Sequence, residues 1–314
     1  MKIAITGASG FVGSHLAQAL LAREHDVVAV ARGFRKNELE LNSPRLTWCA
    51  SDLSDAGQLA QAFKGCDAVA HCAGINREIG DQTYTKVHIR GTKNVVDAAH
   101  TAGVPKIAML SFLRARPNCG SAYHESKWAA EEMLRTSGLN YTVIKAGMIY
   151  GLGDHMLDHL TKSLNTLPIF ATVGLRERPI RPLAIADLVR LLCAALAEGS
   201  MSRSTVAVMG PEELRLSEAA RRVARLLGRR VYVFPAPVWF HRIFARVLEL
   251  AMKVPLVAAA QVRILEEGVV APEPPAPAPP PELAPRLYFT DEQIRRGLPH
   301  RLKFGLADLR CCAS

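Results

Sequence analysis

The sequence predicts an α/β protein built on a doubly wound parallel sheet, with a smaller C-terminal substrate lobe. Short apolar runs alternate with helix-length segments, and a glycine-rich stretch joins the first run to the first helix at residues 6–13. About a hundred residues later, Tyr123 and Lys127 stand one helical turn apart. In such a sheet, ligands bind at the carboxyl ends of the strands. These observations are typical of a Rossmann-type fold.

The first half of the chain carries the elements of the sheet. Six short apolar runs predict buried strands at residues 3–5, 27–30, 46–48, 68–71, 107–110 and 141–144. Apolar residues at helical spacing predict helices at residues 14–23, 59–63, 87–102 and 122–136. We therefore predict a dinucleotide-binding domain of residues 1–150, to which residues 171–210 return.

The pattern loosens beyond Gly151, where we place the substrate lobe in residues 151–170 and 211–268. Residues 155–164 and 182–198 have helical spacing, and residues 205–208 form a strand-like run. Ser217 can cap a helix that runs to Leu227, and Gly228 can end it. His155, Asp158 and His159 share a helix-length stretch, but no further ligand at suitable spacing accompanies them, so we predict no metal site.

Three segments near the end have distinct compositions. Residues 239–253 are amphipathic, and we expect a helix packed on the substrate lobe; the alternative is a membrane-surface or partner-binding helix with Arg242, Arg246 and Lys253 facing phosphate. Residues 269–285 are rich in proline, which predicts an extended linker. Residues 286–314 form a tail that we expect to dock on the body, with a helix starting at Thr290 or Asp291.

The chain of 314 residues has a net charge of +10, which favours anionic ligands such as phosphorylated cofactors, nucleotide- or CoA-linked substrates and acidic lipid headgroups. Its basic residues are spread along the chain and no recognition motif is present, so we expect no nucleic-acid partner. We expect a small-molecule substrate, anionic or lipid-like, and the sequence also allows a homodimer.

The cysteines and the apolar runs indicate the compartment. Seven cysteines form neither a Cys-x-x-Cys pair nor a regular framework, which favours a reducing cytosol. The first strand begins at once, so we expect no signal peptide, and no apolar run reaches the roughly 18 residues of a membrane span. We expect a cytoplasmic protein, with peripheral attachment to a membrane as the alternative.

The glycine-rich stretch predicts a dinucleotide site because it follows a strand and begins a helix. Gly7 permits the turn, Gly10 lets backbone N–H groups approach pyrophosphate, and Gly13 lets helix and strand pack closely.

The end of the second predicted strand bears on the choice of cofactor. Arg32 stands where an NAD-binding protein normally has Asp or Glu, and Arg35 and Lys36 follow it. A guanidinium suits a 2′-phosphate, so we predict NADP, with NAD as the alternative. Asp52 and Leu53 follow the third strand and could contact adenine; Asp52 could equally cap a helix.

Tyr123 and Lys127 are the predicted catalytic pair. A free phenol has a pKa near 10, so we expect the Lys127 ammonium to lower the pKa of Tyr123 and also to bind the nicotinamide ribose. We predict that Ser111, at the end of the fifth strand, orients the substrate oxygen; Ser121 is the nearby alternative.

These motifs resemble the short-chain dehydrogenase/reductase superfamily, in its extended and atypical branches that include nucleotide-sugar epimerases. The matching motifs are Thr6-Gly7-Ala8-Ser9-Gly10-Phe11-Val12-Gly13, Ala70-His71-Cys72-Ala73-Gly74, Gly91-Thr92-Lys93-Asn94-Val95, Tyr123 with Lys127, and Gly147-Met148-Ile149-Tyr150-Gly151. Residues 210–265 are also similar to bacterial relatives of the NADH-quinone oxidoreductase accessory subunit.

The resemblance adds further residues to the cofactor site. It implies contacts from Ser9, Phe11, Val12, Ala73, Gly74, His88, Ala146 and Gly147. The chain departs from the family pattern twice, with His88 in place of the usual Asn and Lys145-Ala146 in place of the usual Arg-Pro.

The sequence thus predicts an NADP-dependent oxidoreductase of the short-chain dehydrogenase/reductase type, which transfers hydride to or from a carbonyl or alcohol carbon with tyrosine as acid or base. Two alternatives remain open. One is a nucleotide-sugar epimerase or dehydratase with tightly held NAD, and the other is a non-catalytic NADPH-binding accessory or regulatory protein.

Overall fold

The structure is a computed structural model that describes residues 1–33, 43–252, 259–299 and 303–304. Its strands, in chain order, are β1 (Lys2–Thr6), β2 (Asp26–Ala31), β3 (Leu46–Ala50), β4 (Ala68–His71), β5 (Lys106–Phe112), β6 (Asn140–Ala146), β7 (Ile149–Tyr150), β8 (Ile169–Val173), β9 (Pro179–Ile180), β10 (Leu183–Ala184), β11 (Ser204–Val208), β12 (Leu214–Arg215) and β13 (Tyr232–Ala236). Its α-helices are α1 (Phe11–Ala22), α2 (Ala56–Phe63), α3 (Gly91–Ala102), α4 (Ala122–Arg135), α5 (His155–Thr166), α6 (Ile185–Ala197), α7 (Leu216–Leu226), α8 (Val238–Ala251), α9 (Ala259–Glu267) and α10 (Asp291–Gly297).

The main sheet has seven strands in the order β11-β6-β5-β4-β1-β2-β3, and every neighbouring pair is parallel. The strand order reverses between β1 and β4, which is where a doubly wound sheet opens a crevice for ligands. The predicted fold class is therefore confirmed. The central strands β1 and β4 consist almost entirely of buried residues, because helices cover both faces of a parallel sheet.

The chain divides into two units. The first consists of Met1–Gly147, Ile185–Val208 and Ala271–Pro285, and the second of Met148–Ala184, Met209–Val270 and the described residues from Arg286 onward. The chain thus returns to the first unit at Ile185 rather than at residue 171 as predicted from the sequence. The reason is that β8 pairs with β13 of the second unit, whereas α6 packs on α1 and β11 pairs with β6.

The proline-rich residues 271–285 belong to the first unit and are packed against it, so the prediction of a linker is wrong. The carbonyl oxygen of Pro277 accepts a hydrogen bond of 2.8 Å from the Ala207 N–H of β11. Arg190 of α6 donates to the carbonyl oxygens of Glu282 at 2.8 Å and Ala284 at 2.7 Å. Extended proline-rich backbone keeps its carbonyl oxygens free to accept such bonds.

The second unit is built around α5, α7 and α10, whose apolar side chains share one cluster with Tyr150 and Phe289. Ser217 lies inside α7 rather than at its cap; the N-cap residue is Arg215, so that prediction is wrong. Thr290 does cap α10, accepting a hydrogen bond from the Gln293 N–H at 3.4 Å. In the described part of the chain, no helix combines the length and apolar character needed to cross a bilayer.

Candidate active site

The glycine-rich turn after β1 packs closely against the loop that follows β4. Gly7 has φ +72°, and a Cβ there would lie 2.7 Å from the Cα of Ala73. A Cβ on Gly13 would lie 2.3 Å from the carbonyl oxygen of Gly7, so the first turn of α1 can pack there only with glycine. The sequence predicted these steric roles for Gly7 and Gly13 correctly.

The start of α1 has the properties of an anion site. Its N-cap is Gly10, which is exposed and supplies no capping side chain, and no acidic residue stands in the first turn. Backbone N–H groups at such an end point outward and the helix dipole favours a negative charge. Phe11 and Val12 form this turn, and Ser9 precedes it. These residues therefore fit a dinucleotide pyrophosphate, with the glycine cradle leaving room for its close approach.

The ends of β2 and β3 carry the residues predicted to select the cofactor. Arg32 is exposed directly after β2, while Arg35 and Lys36 lie outside the described residues. Asp52 accepts hydrogen bonds from the Ser54 N–H at 2.6 Å and the Ser54 hydroxyl at 2.5 Å, and these bonds lower the pKa of its carboxyl group. The cap of α2 is Asp55 instead. Asp52 therefore closes a local turn and does not cap the helix.

Leu53 and the residues after β4 and β6 complete the predicted cofactor set. Leu53 packs against Gly91, where a Cβ would lie 2.8 Å from the leucine Cδ1. Ala73 and Gly74 follow β4, and Ala146 ends β6. The Gly147 N–H donates to the carbonyl oxygen of Val208 at 3.0 Å, which fixes this turn at the carboxyl edge of the sheet.

Tyr123 and Lys127 lie on the same face of α4, as predicted. The Lys127 Nζ reaches the carboxyl ends of β4 and β5: it is 3.4 Å from the carbonyl oxygen of Leu110 and 3.0 Å from the point where a Cβ of Gly74 would stand. A side chain at position 74 would therefore press on the ammonium, and Lys127 would have to shift by a few tenths of an ångström to accommodate it. Tyr123 is 8% exposed, and its ring contacts those of Tyr84 and Phe112, with centroids 5.6 and 5.4 Å away.

The electrostatics of this pair differ from the prediction. Burial, with a smaller contribution from Tyr84, raises the pKa of Tyr123, the opposite of the direction expected from a neighbouring ammonium. Burial also lowers the pKa of Lys127 to about 8, although Glu131 and Cys72 oppose the shift. The surrounding rings and strand ends exclude water from both groups, so desolvation dominates. In this structure the phenol is a protonated acid at neutral pH.

Ser111 is engaged away from the predicted substrate position. Its hydroxyl donates to the Glu131 carboxylate at 2.5 Å, and both side chains are buried. Glu131 also accepts from Arg135 at 2.5 Å and lies 3.5 Å from the Nζ of Lys145. We therefore revise the prediction that Ser111 orients the substrate oxygen, because the Ser111 hydroxyl donates its hydrogen to the Glu131 carboxylate in this buried network. The alternative, Ser121, is hydrogen-bonded to His124 at 2.6 Å.

His88, which replaces the usual Asn, fixes the start of α4 through a chain of hydrogen bonds. The Ile75 N–H donates to its Nε2 at 3.1 Å, so the proton of the neutral ring sits on Nδ1, which donates to the Ser126 hydroxyl at 2.9 Å. Ser126 in turn donates to the carbonyl oxygen of Tyr123 at 3.0 Å. Burial and the charge of Lys127 lower the pKa of His88 to about 2, which keeps it neutral.

Three features of the site were not predicted from the sequence: the position of Tyr84, a π-helical segment before α3, and the position of Glu131. Tyr84 stacks on His88 with centroids 5.5 Å apart, and a π-helical segment, Thr85–Arg90, precedes α3 where a single α-helix was expected. Glu131 lies four residues after Lys127, so an i, i+4 comparison along α4 would have placed its carboxylate on the catalytic face. Among the described residues, no group of three His, Cys, Asp or Glu side chains is arranged to hold a metal ion.

Comparisons with known proteins identify relatives of the part of the chain that carries this site. The family model described as NAD(P)H-binding matches residues 7–157. The uncharacterized protein Rv2047c of Mycobacterium tuberculosis is 30% identical over 263 residues, which make up 84% of this chain and 27% of that protein. The chain therefore spans about a quarter of the length of the mycobacterial proteins it matches.

Two further relatives are better matched in length. The uncharacterized sugar epimerase YhfK of Bacillus subtilis is 30% identical over 154 residues, covering 47% of this chain and 72% of that protein. The mitochondrial 40 kDa subunit of NADH-ubiquinone oxidoreductase of Neurospora crassa is 22% identical over 273 residues, covering 86% of this chain and 72% of that subunit.

A solved structure shows the same fold. The UDP-glucuronic acid 4-epimerase of Bacillus cereus, in complex with UDP-glucuronic acid and NAD, superposes with a TM-score of 0.70. The match covers 94% of this chain and 97% of that chain at 18% identity.

Proposed function

Because the chain belongs to the short-chain dehydrogenase/reductase superfamily, in its extended or atypical branch, we propose that it is an NADP-dependent oxidoreductase acting on a carbonyl or alcohol carbon. The placement of Tyr123 and Lys127 on one face of α4, at the carboxyl ends of β4 and β5, carries the proposal. A proton donor and a cation meet there beside the glycine-rich turn.

The chain's own residues handle the proton and the cofactor. Bound NADPH supplies hydride to a carbonyl carbon. Tyr123 gives its phenolic proton to the oxygen as the carbon–oxygen double bond becomes single; because burial raises the pKa of the phenol, that proton is present at neutral pH. Lys127 would hydrogen-bond the nicotinamide ribose of the bound cofactor and would hold positive charge beside the tyrosinate that remains. The net charge of +10 supports an anionic substrate.

Replacing Tyr123 tests the proposal directly. Tyr123→Phe should lower turnover at least about 10²-fold, because it removes the proton donor, while the dissociation constant for NADPH stays within about threefold. The measurements are NADPH oxidation against a panel of carbonyl compounds and NADPH fluorescence titration. Tyr141→Phe, which alters a partly buried tyrosine in β6, is the matched control. Full activity in Tyr123→Phe would reject the role of the phenol.

The choice of NADP rests on Arg32. Arg32→Ala should weaken NADPH binding about tenfold or more and leave NADH binding nearly unchanged, because a charge-assisted hydrogen bond contributes about 1.5–3 kcal/mol. Isothermal titration with both nucleotides measures the difference. Lys93→Ala, which removes an exposed cation paired with Asp97 on α3, controls for net charge. Equal losses for the two nucleotides, or a wild-type preference for NADH, would contradict the assignment.

An epimerase or dehydratase is the second candidate, favoured by the likeness to the NAD-bound epimerase fold and to a relative named as a sugar epimerase. Protein purified with NAD already bound, and able to isomerise a UDP-sugar without added cofactor, would replace the leading proposal by this one.

A non-catalytic accessory protein is the third candidate. It is favoured by the engagement of Ser111 with Glu131 and by the likeness to a respiratory-complex subunit. Tight NADPH binding without turnover of any carbonyl substrate by the wild-type protein would support it.

A further inference from the structure

Helix α8 presents an apolar face to solvent. Trp239, Ile243, Val247 and Leu250 are 64%, 57%, 55% and 77% exposed. They are spaced four, four and three residues apart, so they form one stripe along the helix, and the exposed Phe240 and Phe244 widen it on one side. We call these six residues the α8 apolar face. A stripe this long on the outside of a folded protein marks an interaction surface.

The opposite side of α8 is already packed, so this orientation is fixed. His241 and Ala245 are buried, and Ala245 lies in a small cluster with Val173 of β8 and Val262 of α9. The helix therefore uses one narrow face to attach to its own unit. Its wider and more aromatic face contains residues that would ordinarily be buried.

Basic side chains border the α8 apolar face. At 100° per residue, Arg242 and Arg246 project from the side of the helix next to Trp239 and Ile243, and both are exposed. Arg242 pairs with Glu266 at 2.8 Å, and both partners of that pair remain partly exposed. An apolar face rich in Trp and Phe and edged by arginine matches the interface of a bilayer, where rings enter the acyl boundary and guanidinium groups stay among the phosphates.

The strand that leads into α8 continues the pattern. Tyr232 and Phe234 of β13 are exposed and point to the same face of their strand, since they are two residues apart. Ile169, the partner of Tyr232 in β8, is exposed as well. Pro237 then joins β13 directly to the start of α8.

We propose that the α8 apolar face binds the surface of an anionic lipid bilayer, with the helix axis lying in the plane of the membrane. Charge complementarity favours a lipid surface over a protein partner: Arg246 and the ion-paired Arg242 edge the apolar face, and the whole chain carries a charge of +10. The helix has 14 residues and is about 21 Å long, so it can lie in the interface but cannot cross it.

Vesicle sedimentation tests the proposal with the full chain. The protein should cosediment with phosphatidylcholine vesicles that contain phosphatidylglycerol, and much less with pure phosphatidylcholine. Brominated acyl chains in the anionic vesicles should quench part of the tryptophan fluorescence, and Trp239→Phe should remove that quenching, because Trp48 and Trp128 lie elsewhere in the chain.

Surface variants separate the apolar contribution to vesicle binding from the electrostatic contribution. Ile243→Glu with Val247→Glu should lower the partition coefficient on anionic vesicles at least about tenfold, because both side chains would enter the acyl boundary. Arg242→Gln with Arg246→Gln should lower it at least about fivefold, since a basic residue near an anionic surface contributes about that factor and Glu266 already offsets part of the charge of Arg242. Tyr288→Glu, at an exposed aromatic residue elsewhere in the same unit, should leave it unchanged. Circular dichroism checks that each variant is folded.

Three outcomes would overturn the proposal. The first is a wild-type protein that fails to bind anionic vesicles, and the second is binding that survives Ile243→Glu with Val247→Glu. The third is a stable dimer in solution that this double variant converts to monomer, because the α8 apolar face would then be an interface between two copies. NADPH binding is measured in parallel, so that loss of vesicle binding is distinguished from loss of the proposed enzymatic function.

Discussion

His71 illustrates how one buried side chain joins three elements of the first unit, namely β1, β4 and α3. Its Nδ1 lies 2.7 Å from the Thr6 hydroxyl at the end of β1, and its Nε2 lies 3.0 Å from the Thr92 hydroxyl of α3. Burial, aided by the charge of Lys127, lowers the pKa of the imidazole to about 3. The ring is therefore neutral in the folded protein at any pH near neutrality, and its hydrogen bonds depend on that state.

This lowered pKa predicts an acid-sensitive fold. The folded-state pKa of about 3 lies below the unfolded value of 6.5, so the unfolded chain binds the extra proton first, and stability is lost as the pH falls from 6.5 towards 3. At pH 5 this group should lower the free energy of unfolding by about 2 kcal/mol relative to pH 8. Urea unfolding of wild type and His71→Gln measures it, because glutamine does not titrate. An equal pH dependence in both proteins would contradict the assignment.

At the residue scale, the sequence predicts the identity of the central pair better than its chemistry. The spacing of Tyr123 and Lys127 alone places them on one helix face. The direction of the tyrosine pKa, however, depends on Phe112 and Tyr84, which approach from other parts of the chain and remove water from the phenol. Spacing along one helix carries no information about that desolvation.

At the scale of elements, a buried ionic network fastens α4 to β5 and β6. Glu131 of α4 joins Ser111 of β5, Arg135 of α4 and Lys145 of β6, and the Lys145 Nζ lies 5.3 Å from the centre of the Trp128 ring. Removing one member of such a network leaves buried charge without its partner and costs about 3–5 kcal/mol. The network thus fixes the position of α4, which carries Tyr123 and Lys127, relative to β5 and β6.

The network predicts that Ser111 acts in stability rather than in catalysis. Ser111→Ala should lower the free energy of unfolding by about 1–3 kcal/mol, because it removes a hydrogen bond to a buried carboxylate, while turnover changes less than about threefold. Thermal unfolding and steady-state kinetics measure the two effects. Ser137→Ala, at the end of α4, is the control. A loss of about 10²-fold in turnover would instead show that Ser111 stabilises the substrate oxygen.

The predictions of secondary structure are correct where the apolar periodicity is strong, and they are wrong where a long-range contact determines the local structure. The six apolar runs all became strands of the main sheet. Central strands such as β1 and β4 read as continuous apolar runs because they are buried on both faces, whereas β3, at the edge of the sheet, is only partly buried. Apolar spacing did not predict the π-helical segment Thr85–Arg90. That segment depends on polar contacts instead, because it brings His88 within hydrogen-bonding distance of Ile75 and Ser126. Π-helical turns are frequent at functional sites.

At the scale of the whole molecule, the proline-rich residues 271–285 protect the edge of the main sheet. β11 is the last strand on that side, and its Ala207 N–H is bonded to the carbonyl oxygen of Pro277 rather than left open. An uncovered edge strand invites pairing with other chains, and proline cannot extend the ladder further. Composition alone predicted a linker because the contacts that hold the segment come from distant residues such as Arg190, about ninety residues earlier in the chain than its partners.

Loosening this segment should expose the sheet edge. Arg190→Ala removes two hydrogen bonds to the segment, so the amide of Ala207 should exchange with deuterium about tenfold faster. Hydrogen–deuterium exchange of the β11 peptide, read by mass spectrometry, measures it. Arg45→Ala removes a similar hydrogen bond to the carbonyl oxygen of Glu24 near the opposite edge strand, β3, and should leave β11 unchanged. Unaltered exchange in Arg190→Ala would show that the segment does not depend on this arginine.

The first unit consists of three separate stretches of the chain, so its sheet can be completed only in stages during biosynthesis. A ribosome releases the chain from its N-terminus, so β6 waits as an open strand until Ser204–Val208 emerges to pair with it. The outer edge of β11 then stays unpaired until Pro277, some seventy residues later, emerges and accepts the hydrogen bond from Ala207. During both intervals the nascent chain displays an unpaired ladder, the state most prone to aggregation, and it is then that we expect chaperones to engage it.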